Sequence, residues 1–488
     1  MMKSFPTLAI PNPDDLMIER APRPLTSHWG LMKSFPKLAI PNPSDLMFGR
    51  ALRPFTSRRG LVIGGGKVYP ELNFTLPTME ISDATFSDIC TRYREAVDEA
   101  CRRSLDLNVE GLVVEFETLV EMTQYPPYAV ELTKIMNDVL ESHYSRNGLK
   151  SALRITPNDL REFKRPPVLR SGVLLDRMLE TFAGCAKAGA EILSIESTGG
   201  KEIHDPALLM CDLSHVIFAL AVLGTRDMDF LWDRIVRIAR ENGTEAGGDT
   251  ACGFGNTAMV LAERHNIPRV FAAVVRSVSA VRSLVAFEKG AVGPGKDCGY
   301  ENVFLKAITG FPMSMEGKTA ACAHMSPIGN IASAMCDLWS NESIQNIKLL
   351  GGMAPTVSLE QLAYDCRLMN RSLENQSEQT LRALFIASDA ALDPQAIILA
   401  PENVVRISKG IVDADGAYAA AKQAALITIQ IIREGLASGG LRVKDRELPY
   451  LDMMEATLDA LPDSEGRFIE QMLPALDSSQ FIPSEYGL

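Results

Sequence analysis

Six histidines in 488 residues, none in an HExxH pattern or otherwise close-paired on one helical face, leave no histidine-rich metal site. Basic charge is short as well. The 49 Lys and Arg face 61 Asp and Glu, a formal charge of −12, so no broad cationic face exists for phosphates and nucleic acid is excluded as the main partner. Nine cysteines stand singly at 90, 101, 185, 211, 252, 298, 322, 336 and 366. They lack the dense, regular spacing of a secreted disulfide scaffold, which points to a reducing cytoplasm. Long apolar runs are missing: the most continuous, residues 216–223, falls far below the ~20 residues that span a bilayer. Prolines at 6, 11, 13, 22 and 24 and acids at 14, 15 and 19 break any secretory-signal core. The expectation is a cytoplasmic protein without a membrane helix, acting on small molecules or proteins.

What is present is ordinary globular material, 46% hydrophobic and 23% charged, enough for a large core. The length suits several domains or one α/β barrel with additions. A direct repeat opens the chain, residues 2–31 followed by 32–61, with 22 of 30 aligned positions identical. Two copies are too few for a solenoid, and both are proline-rich with little helical periodicity. We read residues 1–61 as a tandemly duplicated arm, extended on a surface or disordered, with 1–31 the extra copy.

Beyond the arm, helical spacing of apolar residues predicts a helix over 82–106, and the β-branched run 111–117 predicts a strand before a helix over 128–144. The alternation recurs: strand 152–155, helix 174–190, strand 191–196, helices 205–223 and 231–242, strand 244–249, helix 256–265, with further units around 318–323 and 347–351. So many strand–helix units favour a closed (β/α)8 barrel of the TIM type over 62–373. Residues 374–488 read as mainly helical, notably 377–390 and 417–436, covering or completing the barrel.

Of the glycine-rich stretches, Gly290-Ala-Val-Gly-Pro-Gly-Lys-Asp297 comes nearest a phosphate loop. It fails where Asp297 replaces the Mg²⁺-binding hydroxyl and Pro294 removes a backbone donor. Cys252 and Cys298 both lie in loops containing Gly and Asp, where barrel enzymes place chemistry. Their separation matches no zinc signature, and a lone cysteine is more often a small hydrophobe. Glu196 ends an apolar strand at the mouth of such a barrel, so its charge needs a partner. Cys322 is the rival ligand, the other six cysteines read as packing residues, and His215 reads as core.

The stretches Ile63-Gly-Gly-Gly-Lys-Val68, Pro70-Glu-Leu-Asn-Phe74, Ser194-Ile-Glu-Ser197, Gly199-Gly-Lys-Glu202, Gly247-Gly-Asp-Thr-Ala-Cys252 and Gly293-Pro-Gly-Lys-Asp-Cys298 allow a comparison with known families. With them, the chain from about Asn42 resembles the catalytic subunit of methanol:corrinoid methyltransferases of methanogens and methanol-using acetogens. The resemblance implies a (β/α)8 barrel holding one Zn²⁺ by Glu196, Cys252 and Cys298. It also implies transfer of the methyl group of methanol to a Co(I) corrinoid, giving methyl-Co(III) and water, and a homodimer in complex with the corrinoid protein. No DxHxxG motif of a cobalamin-binding domain occurs here, so the corrinoid must arrive on that partner. Only one N-terminal segment is usual in the family, and the first repeat copy departs from it.

Two thiolates and a carboxylate leave a zinc site of formal charge −1, a weaker Lewis acid than a three-histidine site, which calls for a proton donor. Asp249, Asp297, Glu202, Lys201 and His204 are the candidates by nearness in sequence, with orientation of the ligands as their competing task. Three alternatives stay open. The donor can be another small alcohol or a methyl ether, the barrel can be a zinc hydrolase, or the cysteines can be buried packing residues in a non-catalytic protein.

Overall fold

A computed structural model describes residues 34–75, 79–344, 348–349 and 352–488, and Phe35–Leu488 forms one unit. The first repeat copy lies outside the described residues.

Seven parallel strands make the main sheet. After an antiparallel hairpin of β1 (Arg50–Thr56) and β2 (Val62–Gly65), they are β3 (Tyr69–Thr75), β4 (Gly111–Glu117), β5 (Lys150–Thr156), β6 (Ile192–Ile195), β7 (Glu245–Asp249), β8 (Ser314–Glu316) and β9 (Leu338–Ile344). Their order is β7-β6-β5-β4-β3-β9-β8, so the first and last strands in space are both edges. Residues 292–296 join those edges. Val292 N donates to Ala246 O on the β7 side at 2.8 Å, while Gly295 N donates to Pro312 O at 3.0 Å and Ser314 N to Gly295 O at 3.3 Å on the β8 side. This irregular stretch, the one resembling a phosphate loop, is the sixth of eight staves, and the barrel closes through it.

Helices Phe86–Asp106, Pro126–Asn147, Val173–Ala188, Thr225–Asn242, Arg269–Lys289, Asn302–Thr309 and Ala354–Glu374 follow the staves around the outside. The helix expected over 205–223 is broken: Lys201–Leu209 ends near Cys211 at φ 54°, Asp212 caps Leu213–Ile217, and Phe218–Gly224 continues as a π-helix. The unit expected around 318–323 is a short helix after β8, and of that around 347–351 only Lys348–Leu349 is described, paired with Gly352–Met353. Arg269–Lys289 escapes a periodicity reading because it is buried on all faces, where no polar stripe marks one side. It is long and apolar enough to cross a membrane, but Val270 to Phe287 are all buried inside the protein, under Ala417–Ala437 and Thr225–Asn242.

The second repeat copy is no loose arm. It binds the outer wall through Ile40 N to Ala307 O at 2.9 Å and Gly49 N to Cys336 O at 2.8 Å, and buries Ile40, Leu46, Met47 and Phe48. The hairpin then carries Phe55, Leu61 and Ile63 against Tyr69, Val113, Ala152, Ile192 and Leu338, an apolar floor for the barrel. Buried Arg59 seals the edge, with Glu191 at 2.6 Å and Ser151 Oγ at 2.8 Å. Gly49 adopts φ +70°, and a Cβ there would meet the backbone carbon of Lys67 at 2.9 Å. The first copy has Glu19 and Trp29 at the positions of Gly49 and Arg59, so it lacks both residues the docked form needs. A chain without residues 1–31 is therefore expected to melt at an unchanged temperature, whereas Gly49→Glu costs about 2 kcal/mol or more from strain and clash; differential scanning calorimetry compares the two.

Candidate metal centre

One level above the apolar floor the barrel interior is ionic. Inward positions alternate along each strand, so the residues two places beyond the floor point to the same interior. Buried Arg154 donates to Glu71 Oε1 at 2.7 Å, to Ser194 Oγ at 2.8 Å and to Pro294 O at 2.9 Å, tying β5 to β3, β6 and the sixth stave. Fully buried Lys296, on that stave, meets Asp297 Oδ1 at 2.5 Å and Glu115 Oε1 at 2.8 Å. Neither cation has water to solvate it, so each is held by carboxylates.

Above this layer, at the C-terminal ends of the strands, Glu196, Cys252 and Cys298 converge, their donor atoms all within 4.8 Å of one another. Glu196 directly follows β6, Cys252 opens a π-turn, Cys252–Asn256, after β7, and Cys298 comes just after Asp297 at the end of the sixth stave. The Sγ of Cys298 lies 3.0 Å from Glu196 Oε1. Cys298 is buried, while the Glu196 side chain keeps 27% of its surface, so the cluster sits at the floor of an accessible mouth.

Burial pushes the Glu196 carboxyl up to about 7, against the pull of Lys296 3.4 Å away. The Cys298 thiol is raised by its hydrogen bond with Cys252 and then by burial. Both shifts favour the protonated forms, and a divalent cation there favours the deprotonated forms instead. Two sulfurs and one carboxylate oxygen are donors that zinc accepts, and three protein ligands leave a place for substrate. The residues therefore fit the ion that the family resemblance implies.

The five proton-donor candidates separate. Asp249, last residue of β7, accepts from Ser197 N at 3.1 Å, Ser197 Oγ at 2.5 Å, Trp232 Nε1 at 2.9 Å and Thr250 N at 2.8 Å. It is committed to fixing the residue after Glu196. Asp297 is held by Lys296, accepts from Cys298 N at 2.9 Å and Ser340 Oγ at 2.7 Å, and is lowered to about 2 despite burial, chiefly by Lys296. Lys201 pairs with Asp205 at 2.6 Å and donates to Gly253 O at 3.2 Å, which pins the loop of Cys252. His204 is buried, with Nδ1 3.2 Å from Asp205, its ring edge-on to Phe254, and Nε2 without a hydrogen-bond partner among the described residues; burial lowers its pKa. Glu202 is buried and accepts from Tyr486 OH at 2.5 Å.

Sequence reasoning passed over Lys296, Glu115, Glu301, Asn256 and Tyr486. Glu115 had a legible signal, a charge inside the apolar run of β4. Glu301 Oε1 accepts from Ala251 N at 2.6 Å and Ser283 Oγ at 2.9 Å, clamping the two cysteine loops where Gly299 lets them touch: a Cβ there would sit 2.4 Å from Thr250 Oγ1. Tyr486 reaches Glu202 across 284 residues, which no local pattern encodes. Cys322 is exposed and outside the cluster, and His215 is half-buried on Asp212 at 2.7 Å, not core.

Comparison with known proteins agrees with this architecture. Residues 32–487 match the family described as the methanol-cobalamin methyltransferase B subunit. A methanol–corrinoid protein co-methyltransferase of Methanosarcina barkeri (strain Fusaro / DSM 804) is 40% identical over 433 residues, 88% of this chain and 93% of that protein. In the crystal structure of the methanol:cobalamin methyltransferase complex MtaBC from Methanosarcina barkeri, one chain superposes with a TM-score of 0.90 at 38% identity, covering 94% of this chain and all of that one. With the barrel and the extent of these matches in hand, the chain belongs to the methanol-cobalamin methyltransferase B subunit family and is an enzyme.

Proposed function

We propose that this chain transfers the methyl group of methanol to the Co(I) corrinoid of a partner protein, releasing water, and that Glu196, Cys252 and Cys298 hold a Zn²⁺ for the purpose. The observation that carries the metal assignment is the convergence of these three donors at the mouth of the barrel. Hydroxide is a poor leaving group, and zinc at this position supplies a Lewis acid for the alcohol oxygen. Lys296 sets the charge of the site. Its ammonium, 3.4 Å from Glu196 and 3.9 Å from Cys298, turns positive charge toward the donor set without occupying a ligand position. Asp297 and Glu115 keep it protonated and in place.

The hydroxyl of methanol also needs a proton to leave as water, and Glu202 is the candidate suited to store one. Burial raises its carboxyl to about 7, so it is half-protonated near neutrality, whereas Asp297 stays ionised. Tyr486, buried and donating to Glu202, holds it in one orientation while accepting from Gly200 N at 2.9 Å.

The direct test mixes the zinc-loaded protein with its corrinoid partner in the Co(I) state and methanol. Growth of the methyl-Co(III) spectrum is expected, and its absence with zinc fully bound overturns the assignment of methanol as donor. Cys252→Ala and Cys298→Ala are each expected to lose zinc and methyl transfer together; stoichiometric zinc in either removes that residue from the ligand set. Lys296→Met strands Glu115 and Asp297 and is expected to cost about 3–5 kcal/mol in denaturant unfolding. Glu202 gives a pH signature. Because its folded value, about 7, lies above the ordinary 4.5, the native state holds the extra proton between them, and stability falls as pH rises through that window. The decline reaches about 3 kcal/mol at most and levels off above about pH 7. Glu202→Gln is expected to remove this slope from the pH dependence of unfolding.

A further inference from the structure

Asn256 closes the π-turn that Cys252 opens, four residues on, and is buried. Such turns are rare and concentrate at functional sites. The side-chain amide of Asn256 has two N–H groups, and both face the candidate centre: Nδ2 lies 3.8 Å from Cys252 Sγ and 2.7 Å from Cys298 O. One amide thus spans the loops of both cysteines.

The orientation of that amide follows from chemistry. Arg276 Nη1 lies 3.4 Å from Asn256 Oδ1, and a guanidinium can only donate, so the oxygen must face Arg276 and the nitrogen must face the sulfur. Arg276 is itself fully buried on the helix Arg269–Lys289, stacked over Tyr300 at 5.2 Å, and donates to Gly255 O and Gln395 Oε1, each at 3.3 Å. The arginine, otherwise an unexplained charge in an apolar helix, therefore sets which end of Asn256 meets the thiolate.

An N–H group directed at a thiolate draws electron density from sulfur, which leaves a bound metal more electrophilic. With Asn256 at Cys252 and Lys296 at Cys298 Sγ, 3.9 Å away, each sulfur has a nitrogen donor of its own, one neutral and one charged. We propose that Asn256, oriented by Arg276, is a positioning residue of this centre: it tunes the donor strength of the Cys252 thiolate and locks the Cys298 loop beside it. This rests on the metal reading above and assigns to two residues outside the ligand set the task of offsetting two electron-rich sulfurs.

The test uses Co²⁺ added to the full-length, zinc-free protein, since sulfur-to-cobalt charge transfer reports the electron density on the thiolates without any methyl transfer. Wild-type protein is expected to show the thiolate band. Asn256→Ala is expected to move it to lower energy and to weaken Co²⁺ binding about 10-fold, within the about 10–100-fold typical of residues that orient metal ligands. Asn256→Asp, of the same shape, takes the N–H away from the sulfur and is expected to move the band to lower energy as Asn256→Ala does; far-UV circular dichroism verifies that both variants are folded. A pure packing role predicts that the same-shaped Asp variant keeps the wild-type band. That outcome, or an unaltered band in Asn256→Ala, overturns the role of Asn256 while leaving the metal reading intact. Absence of any thiolate band in the wild-type protein overturns both.

Discussion

Everything at the mouth of this barrel depends on a buried ammonium. Lys296 sits on the stave that closes the sheet, and its contacts reach Asp297 beside it, Glu115 across the interior and Glu196 above. A lysine without solvent is tolerated only where carboxylates surround it, and those carboxylates are tolerated only because it is there. Closure of the fold and charge of the site are thus one arrangement: the irregular stretch 292–296 bonds β7 and β8 through its backbone and presents the cation through its side chain.

Loop-borne ligands need support that loops alone do not provide, and here it comes from side chains that cross between loops. Glu301 and Asn256 tie the Cys252 loop to the Cys298 loop, while Asp249 and Arg282 hold Ser197 next to Glu196. These crossing groups are themselves buried, so moving a ligand loop would strand polar atoms in an apolar surround. The result is a set of three donor groups held in place by the protein alone.

Much of the fold was legible in the chain. The strand at 111–117 was readable because its apolar, β-branched run needs no neighbour to explain it, and the helix at 417–436 because its alanine-rich pattern ends at Gly439-Gly440. The helix Arg269–Lys289 was not, since burial on every side erases the polar face that periodicity depends on. The second repeat copy was legible only as a proline-rich segment extended on a surface; which surface it packs on was not, because its apolar residues find their partners on strands far along the chain.

By itself the sequence determined the alternation of strands and helices, the short supply of histidine and basic charge, and the motifs through which a family resemblance, not spacing, picks out Glu196, Cys252 and Cys298. These are local properties, or properties of composition, and survive without coordinates. Only the tertiary structure decided that the three donors meet, that Asp249 and Asp297 are occupied with holding neighbours, and that Tyr486 and Arg276 belong to the same neighbourhood. The physical reason is that hydrogen bonds and desolvation act over a few ångströms, and distances along the chain say nothing about which groups fall within that range once eight staves have closed.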